Sequence, residues 1–194
     1  TAVFKLLWKM GLRHAVLCDI NGVVYPGRPD LAGDPWLSEL AELSQPTVRG
    51  GLAEAMVGAD LFVGVSAPNL VTGDMVRSMA KDPILFAMAN PVPEIMPDVA
   101  LAAGAAVVGT GRSDFPNQIN NMMAFPGVFR GALDVRARDI NDEMKLAAAY
   151  ALADLVGDDL APDHIVPEGF DTRITPAVAK AVAQAARDSG VARL

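Results

Sequence analysis

The sequence predicts an α/β fold, a doubly wound parallel sheet with helices on both faces, and three observations carry that prediction. Short apolar runs at 59–66, 84–89 and 105–110 each end in a loop of small or polar residues. The intervals between them show helical spacing and helix-starting residues, such as Thr72 ahead of Met75, Val76 and Met79. The runs are nearly continuous in apolar character, as strands buried on both faces must be, and their alternation with short helices is the signature of parallel pairing.

Taken in order, residues 1–14 read as a helix with Lys5, Lys9 and Arg13 on one face, Val3, Leu6, Leu7 and Met10 elsewhere, and Gly11 as a stop. A basic, acid-free amphipathic segment at a terminus is also the composition of a transit peptide. The strand that follows at once favours an element entered midway. Ala15 to Asp19 is a short apolar run ending in an acid, followed by the turn Asn21-Gly22. Asp19 has two readings. At the tip of the second strand of a dinucleotide fold it accepts hydrogen bonds from ribose hydroxyls, and as a turn residue it bonds its own backbone.

Helices are expected over 34–43, with Pro35 in the first turn, and over 52–56, closed by Gly58. The run 59–66 empties into Ser66-Ala67-Pro68-Asn69, small residues that let a planar ring approach the backbone and that any tight turn also favours. A brief helix at 98–103 precedes the last strand at 105–110. Beyond Asn117 the strand pattern ends, a long helix runs over 139–155, a loop rich in Pro and Asp fills 157–173, and Thr175-Pro176 opens a final helix.

The formal net charge of -7, with no basic cluster, argues against nucleic-acid and anionic-membrane partners, since neutralising phosphates takes concentrated Lys and Arg. A small metabolite is the expected partner. Apolar runs are cut by Gly, Pro or charge well short of the roughly 18 to 20 residues that span a bilayer. With Cys18 as the one cysteine, no intrachain disulfide can form, and a reducing, cytoplasmic setting is expected.

Catalytic motifs of the HExxH, GxSxG and CxxC types are absent, the carboxylates do not cluster at metal-ligand spacing, and His14 and His164 read as surface residues. The distinctive chemistry is a set of amides at successive loop tips: Asn90, Asn117, Gln118, Asn120 and Asn121, near Arg112, Ser113 and Asp114. Amides donate and accept without titrating, so they orient a substrate rather than move its protons. The same residues also form turns and cap helices.

Taken together, GVSAPN, FAMANPVPEI, GTGRSDFPNQINN and FPGVFRGALD resemble the carboxyl-terminal, cofactor-binding half of a bacterial-type malic enzyme, and the similarity extends over nearly the whole chain. The resemblance implies a Rossmann-like sheet lacking its first strand and Gly-rich phosphate loop, followed by C-terminal helices. Residues 1–120 would be a partial NAD(P)-binding domain, and residues 121–194 a helical segment packing back on it. The implied chemistry is oxidation of L-malate with NAD or NADP, then decarboxylation to pyruvate and CO2.

Residue by residue, the resemblance gives Asn90 and Asn121 the task of holding malate beside the nicotinamide. Gly64, Val65, Ser66 and Ala67 would form the backbone wall along that ring, and Asp19 would meet the adenosine ribose. The family's catalytic Tyr and Lys, and the acidic ligands of its Mg or Mn, belong to an amino-terminal half outside these residues. The expectation is therefore an enzyme portion inactive alone, with the amino-terminal half as its partner and assembly into homo-oligomers. Asp19 would repel a 2′-phosphate unless Arg28 folds back to screen it, so NAD is preferred. Two rival readings remain: another hydroxy-acid or amino-acid dehydrogenase, and a non-catalytic dinucleotide-binding module.

Overall fold

Three four-residue strands, in the order of the chain, make the sheet on which the molecule is built. A computed structural model describes residues 2–44 and 46–194. Helix α1 (Ala2–Lys9) leads to a two-residue hairpin, β1 (Cys18–Asp19) and β2 (Gly22–Val23), then a 3-10 turn at Pro29–Gly33 and α2 (Pro35–Ser44). Then come α3 (Leu52–Met56), β3 (Leu61–Gly64), α4 (Gly73–Ser78), β4 (Ile84–Ala87), α5 (Pro97–Ala102) and β5 (Val107–Thr110). After a 3-10 turn at Asn121–Met123, the chain ends in α6 (Phe125–Asp134), α7 (Asp142–Val156) and α8 (Ile174–Asp188).

β3, β4 and β5 pair in parallel, with Gly64 beside Ala87 and Ala87 beside Thr110. As the middle strand, β4 buries Leu85 and Ala87 fully and Ile84 and Phe86 in part, which is why its sequence Ile-Leu-Phe-Ala carries no polar residue. Leu85 and Ala87 lie in one core with Met56, Val76, Ile95 and Ala100 from the helices and loops on the sheet and Val108 from β5. The crossover helices are short but properly started. Thr72 accepts from the Met75 amide at 3.3 Å at the head of α4, the cap expected from the sequence.

The expected strand at Ala15–Asp19 does not join this sheet. Only Cys18 and Asp19 form a strand, and they pair with Val23 and Gly22 in an antiparallel hairpin. Among the described residues, β3 has no neighbour on the side away from β4. Strand backbone must find partners, and here the segment finds them in its own continuation, where Val24 donates to Leu17 at 2.7 Å. A bond from the Val23 amide to the Gly50 carbonyl, 2.8 Å, ties the hairpin to the turn that starts α3. A small core of Val24, Leu31 and Ala41 seats it on α2.

A second core lies among the last three helices. α8 buries Ile174, Val178, Val182 and Ala186 at four-residue intervals, the stripe an amphipathic helix needs. α6 meets it through Gly127 and Gly131, four residues apart on one face. Neither glycine has room for a side chain: a β-carbon at Gly127 would lie 2.5 Å from Val178 Cβ, and one at Gly131 would lie 2.9 Å from Val182 Cβ. α8 begins at Ile174, so Pro176 is its third residue rather than its first, still within the turn whose amides need no helical partner. α7 starts at Asp142, later than the expected 139, because Asn141 caps it by accepting from the Met144 amide at 3.1 Å. The helix α6 itself was not expected from local pattern.

Candidate cofactor- and substrate-binding edge

The carboxyl ends of the strands form a row. Gly64, Ala87 and Thr110 are register neighbours, and Gln118 continues the row through a parallel bridge to Thr110. The bridge is made by the chain folding back: Thr110 donates to the Asn117 carbonyl at 3.3 Å and accepts from the Ile119 amide at 2.7 Å. Asn90 follows Ala87 by three residues, and Asn121 follows Gln118 by three. Both are exposed. At one strand spacing of about 4.8 Å per step, the tips from which the two amides spring are separated by about 10 Å. Val65, Ser66 and Ala67 leave the tip of β3 exposed to solvent.

Asn117 and Asn120 have internal tasks. Asn117 is buried in a left-handed backbone conformation, φ 54°. Its Nδ2 donates to the carbonyls of Val108 (3.0 Å) and Pro162 (2.8 Å), and its Oδ1 accepts from the Ile165 amide (2.9 Å). It pins the 161–165 loop to β5, with both Nδ2 hydrogens spent inside the protein. Asn120 caps the 3-10 turn, accepting from the Met122 amide at 3.0 Å. Arg112 is held by Asp114 at 2.6 Å and lies over the Phe115 ring. That hydrogen bond keeps the Asp114 carboxyl below its usual range. Buried at the tip of β5, the Thr110 hydroxyl has no hydrogen-bond partner among the described residues.

Asp19 bonds its own turn, as the second of its readings expects. Its Oδ1 accepts from the Asn21 amide at 2.8 Å, closing the turn. Both carboxylate oxygens also accept from Arg28, which folds back onto them and is only 7% exposed. The Arg28 guanidinium is further committed through Nε to Asp30 (2.7 Å) and through Nη1 to the carbonyls of Gly22 and Val23. Hydrogen bonding to Arg28, against a smaller opposing effect of burial, holds the Asp19 carboxyl below the ordinary aspartate value. Asp19 Oδ2 has one protein donor, leaving acceptor capacity for a hydroxyl.

One residue of this edge has no counterpart among the residues singled out from sequence. Glu94 is fully buried. Its carboxyl group accepts from the Ser66 amide (2.9 Å) and the Ala89 amide (3.0 Å), one from each of two loops. The sequence signal was its position, four residues after Asn90 in the loop leaving β4, yet a glutamate between prolines reads locally as solvent-facing. Among the described residues, no group of three or more His, Cys, Asp or Glu side chains is placed to hold a metal ion. The described residues therefore hold no set that fits the divalent ion the resemblance implies.

A parallel sheet whose strand tips carry a small-residue loop and two exposed amides has the layout of a nucleotide-binding α/β fold. The family model described as malic enzyme, NAD binding domain, matches residues 10–187, and the chain belongs to that family. It is 57% identical over its whole length to the bifunctional malic/malolactic enzyme of Bacillus subtilis, and 50% identical over 99% of its length to an NADP-dependent malic enzyme of Rhizobium meliloti. It spans 47% and 27% of those two proteins. The crystal structure of Entamoeba histolytica malic enzyme superposes on 98% of the chain with a TM-score of 0.93 at 41% identity, the chain covering 41% of that protein.

Proposed function

We propose that this chain is the dinucleotide- and malate-binding portion of a malic enzyme, joining NAD(P) and L-malate at the row of strand tips. The observation that carries the reading is that row. Asn90 and Asn121, given to malate by the resemblance, each lie three residues beyond a part of one sheet edge, Ala87 and Gln118, with Thr110 between those two and Val65–Ala67 on the same edge. Amides there orient the hydroxy acid and leave proton transfer to other groups. The nicotinamide would lie along Gly64 to Ala67, and the adenosine ribose would reach Asp19. The dinucleotide supplies hydride acceptance when bound.

NAD is the preferred form in this reading. Arg28, the nearest cation, is consumed by Asp19 and Asp30, so a 2′-phosphate would meet two carboxylates and one guanidinium already engaged. Catalytic acid-base groups and the ligands for Mg or Mn are assigned to an amino-terminal half, and assembly into oligomers is expected for the complete enzyme. The setting is taken as cytoplasmic; no helix among the described residues is long and apolar enough to cross a membrane.

Removing a buried hydrogen bond to substrate costs roughly 1 to 3 kcal/mol. In the intact enzyme, Asn121→Ala is therefore expected to lower kcat/KM for malate by an order of magnitude or more. An unchanged kcat/KM retires the assignment. Residues 1–194 alone are expected to give no malate-dependent NADH, and robust turnover by them would show that the missing groups are not needed.

A further inference from the structure

We propose that Glu94 is a positioning residue for the reaction: its buried carboxyl group clamps the loop after β3 to the loop after β4, and so sets the separation between the dinucleotide wall and the malate amide. The ligand assignments rest on the proposed function; the clamp itself rests on geometry. Four hydrogen bonds fasten this corner within a few residues, three of them running between the two loops. Glu94 Oε1 takes the Ser66 amide and the Glu94 carbonyl takes the Val71 amide at 2.9 Å, while the Pro93 carbonyl takes the Asn69 amide at 3.0 Å. The fourth links Oε2 to the Ala89 amide, directly before Asn90.

The fit is tight enough to dictate a neighbour. A β-carbon at Gly64 would stand 2.5 Å from Glu94 Cδ and 2.6 and 2.8 Å from its two oxygens. The space a side chain would take at the tip of β3 is thus filled by the Glu94 carboxyl group, and Gly64 serves the clamp from the sheet side.

A carboxyl group with no cation paired to it among the described residues is a costly thing to bury, and an apolar side chain of similar volume fills such a space at less cost. What an apolar residue cannot do is hold two particular amides at fixed positions. Ser66 lies in the expected nicotinamide wall, and Ala89 carries Asn90, so fixing these two amides fixes hydride donor relative to acceptor. Catalysis is sensitive to this kind of placement, a 1 Å error costing up to about a hundredfold.

The test uses Glu94→Gln in the intact enzyme, because glutamine keeps the size and one acceptor but offers an NH2 group to the second amide. Hydrogen exchange should quicken at both Ser66 and Ala89. In the same protein, kcat for malate oxidation should fall by about tenfold or more, with the dissociation constant for NAD changed less than about threefold. A kcat within about twofold of wild type, or unchanged exchange at either amide, overturns the proposal. If Glu94→Gln does not fold, Glu94→Asp, which keeps the carboxyl group but is too short to span both amides, is read by the same criteria. A wild-type enzyme that does not oxidise malate would remove the proposed function, while the exchange measurement would still decide whether the clamp exists.

Discussion

Gly131→Ala is expected to destabilise the protein although it places a better helix former inside α6. Alanine in a helix gains about 1 kcal/mol over glycine from backbone entropy. Against that, the new methyl group would press on the Ala179 carbonyl, with the carbonyl carbon 3.1 Å away and Val182 Cβ 2.9 Å away. Backbone of α8 cannot rotate aside as a side chain can, so the helices must part. Parting them loosens Val178 and Val182, both fully buried. Overpacking costs typically 1–3 kcal/mol, and partial re-exposure of two valines adds a comparable amount, leaving a net loss of about 1–3 kcal/mol. Gly33→Ala is the contrasting case, with no atom within 4 Å of the added carbon, and should be neutral or stabilising by up to about 1 kcal/mol. Urea unfolding of both variants reads the two signs, provided m is unchanged. Because Asn121 opens the turn that leads into α6, and Met123 of that turn is buried in the same core, Gly131→Ala should also raise KM for malate in the intact enzyme. A Gly131→Ala protein as stable as wild type would refute the packing argument.

Three further outcomes follow from named contacts. Arg28→Met leaves Asp19 and Asp30 without their cation and should cost about 2–4 kcal/mol in thermal unfolding, with part of the loss recovered by adding Asp19→Asn. Asn117→Ala removes three hydrogen bonds and puts alanine at φ 54°, so it should lower stability more than Asn117→Gly, by the roughly 1 kcal/mol of left-handed strain, and free the 161–165 loop to exchange. Lys9 and Lys145 hold the Asp142 carboxyl down to about 2. A depressed carboxylate contributes stability above its unfolded value and loses it as pH falls through the folded one. Melting temperature should therefore drop from about pH 4 towards pH 2, and that part of the drop should be missing in Asp142→Asn.

The three sheet strands and most helices were legible because each is written in contiguous residues: apolar runs for β3 to β5, Thr72 ahead of α4, and Pro35 at the head of α2. What escaped was non-local. Ala15–Asp19 reads as a full strand, but a strand exists only beside a partner, and its sheet neighbour is not among the described residues. Helix α6 escaped because Pro126, Gly127 and Gly131 depress helix propensity, while the reason for the glycines lies on α8, some 50 residues away. Asn117 reads like Asn121 in a row of amides, yet its partners at Pro162 and Ile165 consume it. Glu94 was hidden for the opposite reason: its chemistry is spent on backbone amides, which no sequence pattern marks.

The most direct check on the account is a double-mutant cycle on Asn90 and Asn121 in the intact enzyme, read as kcat/KM for malate. If both amides grip one substrate molecule, each alanine should cost about 1–3 kcal/mol, and the pair should depart from the sum of the singles by at least about 0.5 kcal/mol. Losses that simply add, or single variants that turn over malate like wild type, would contradict a shared malate site at this sheet edge.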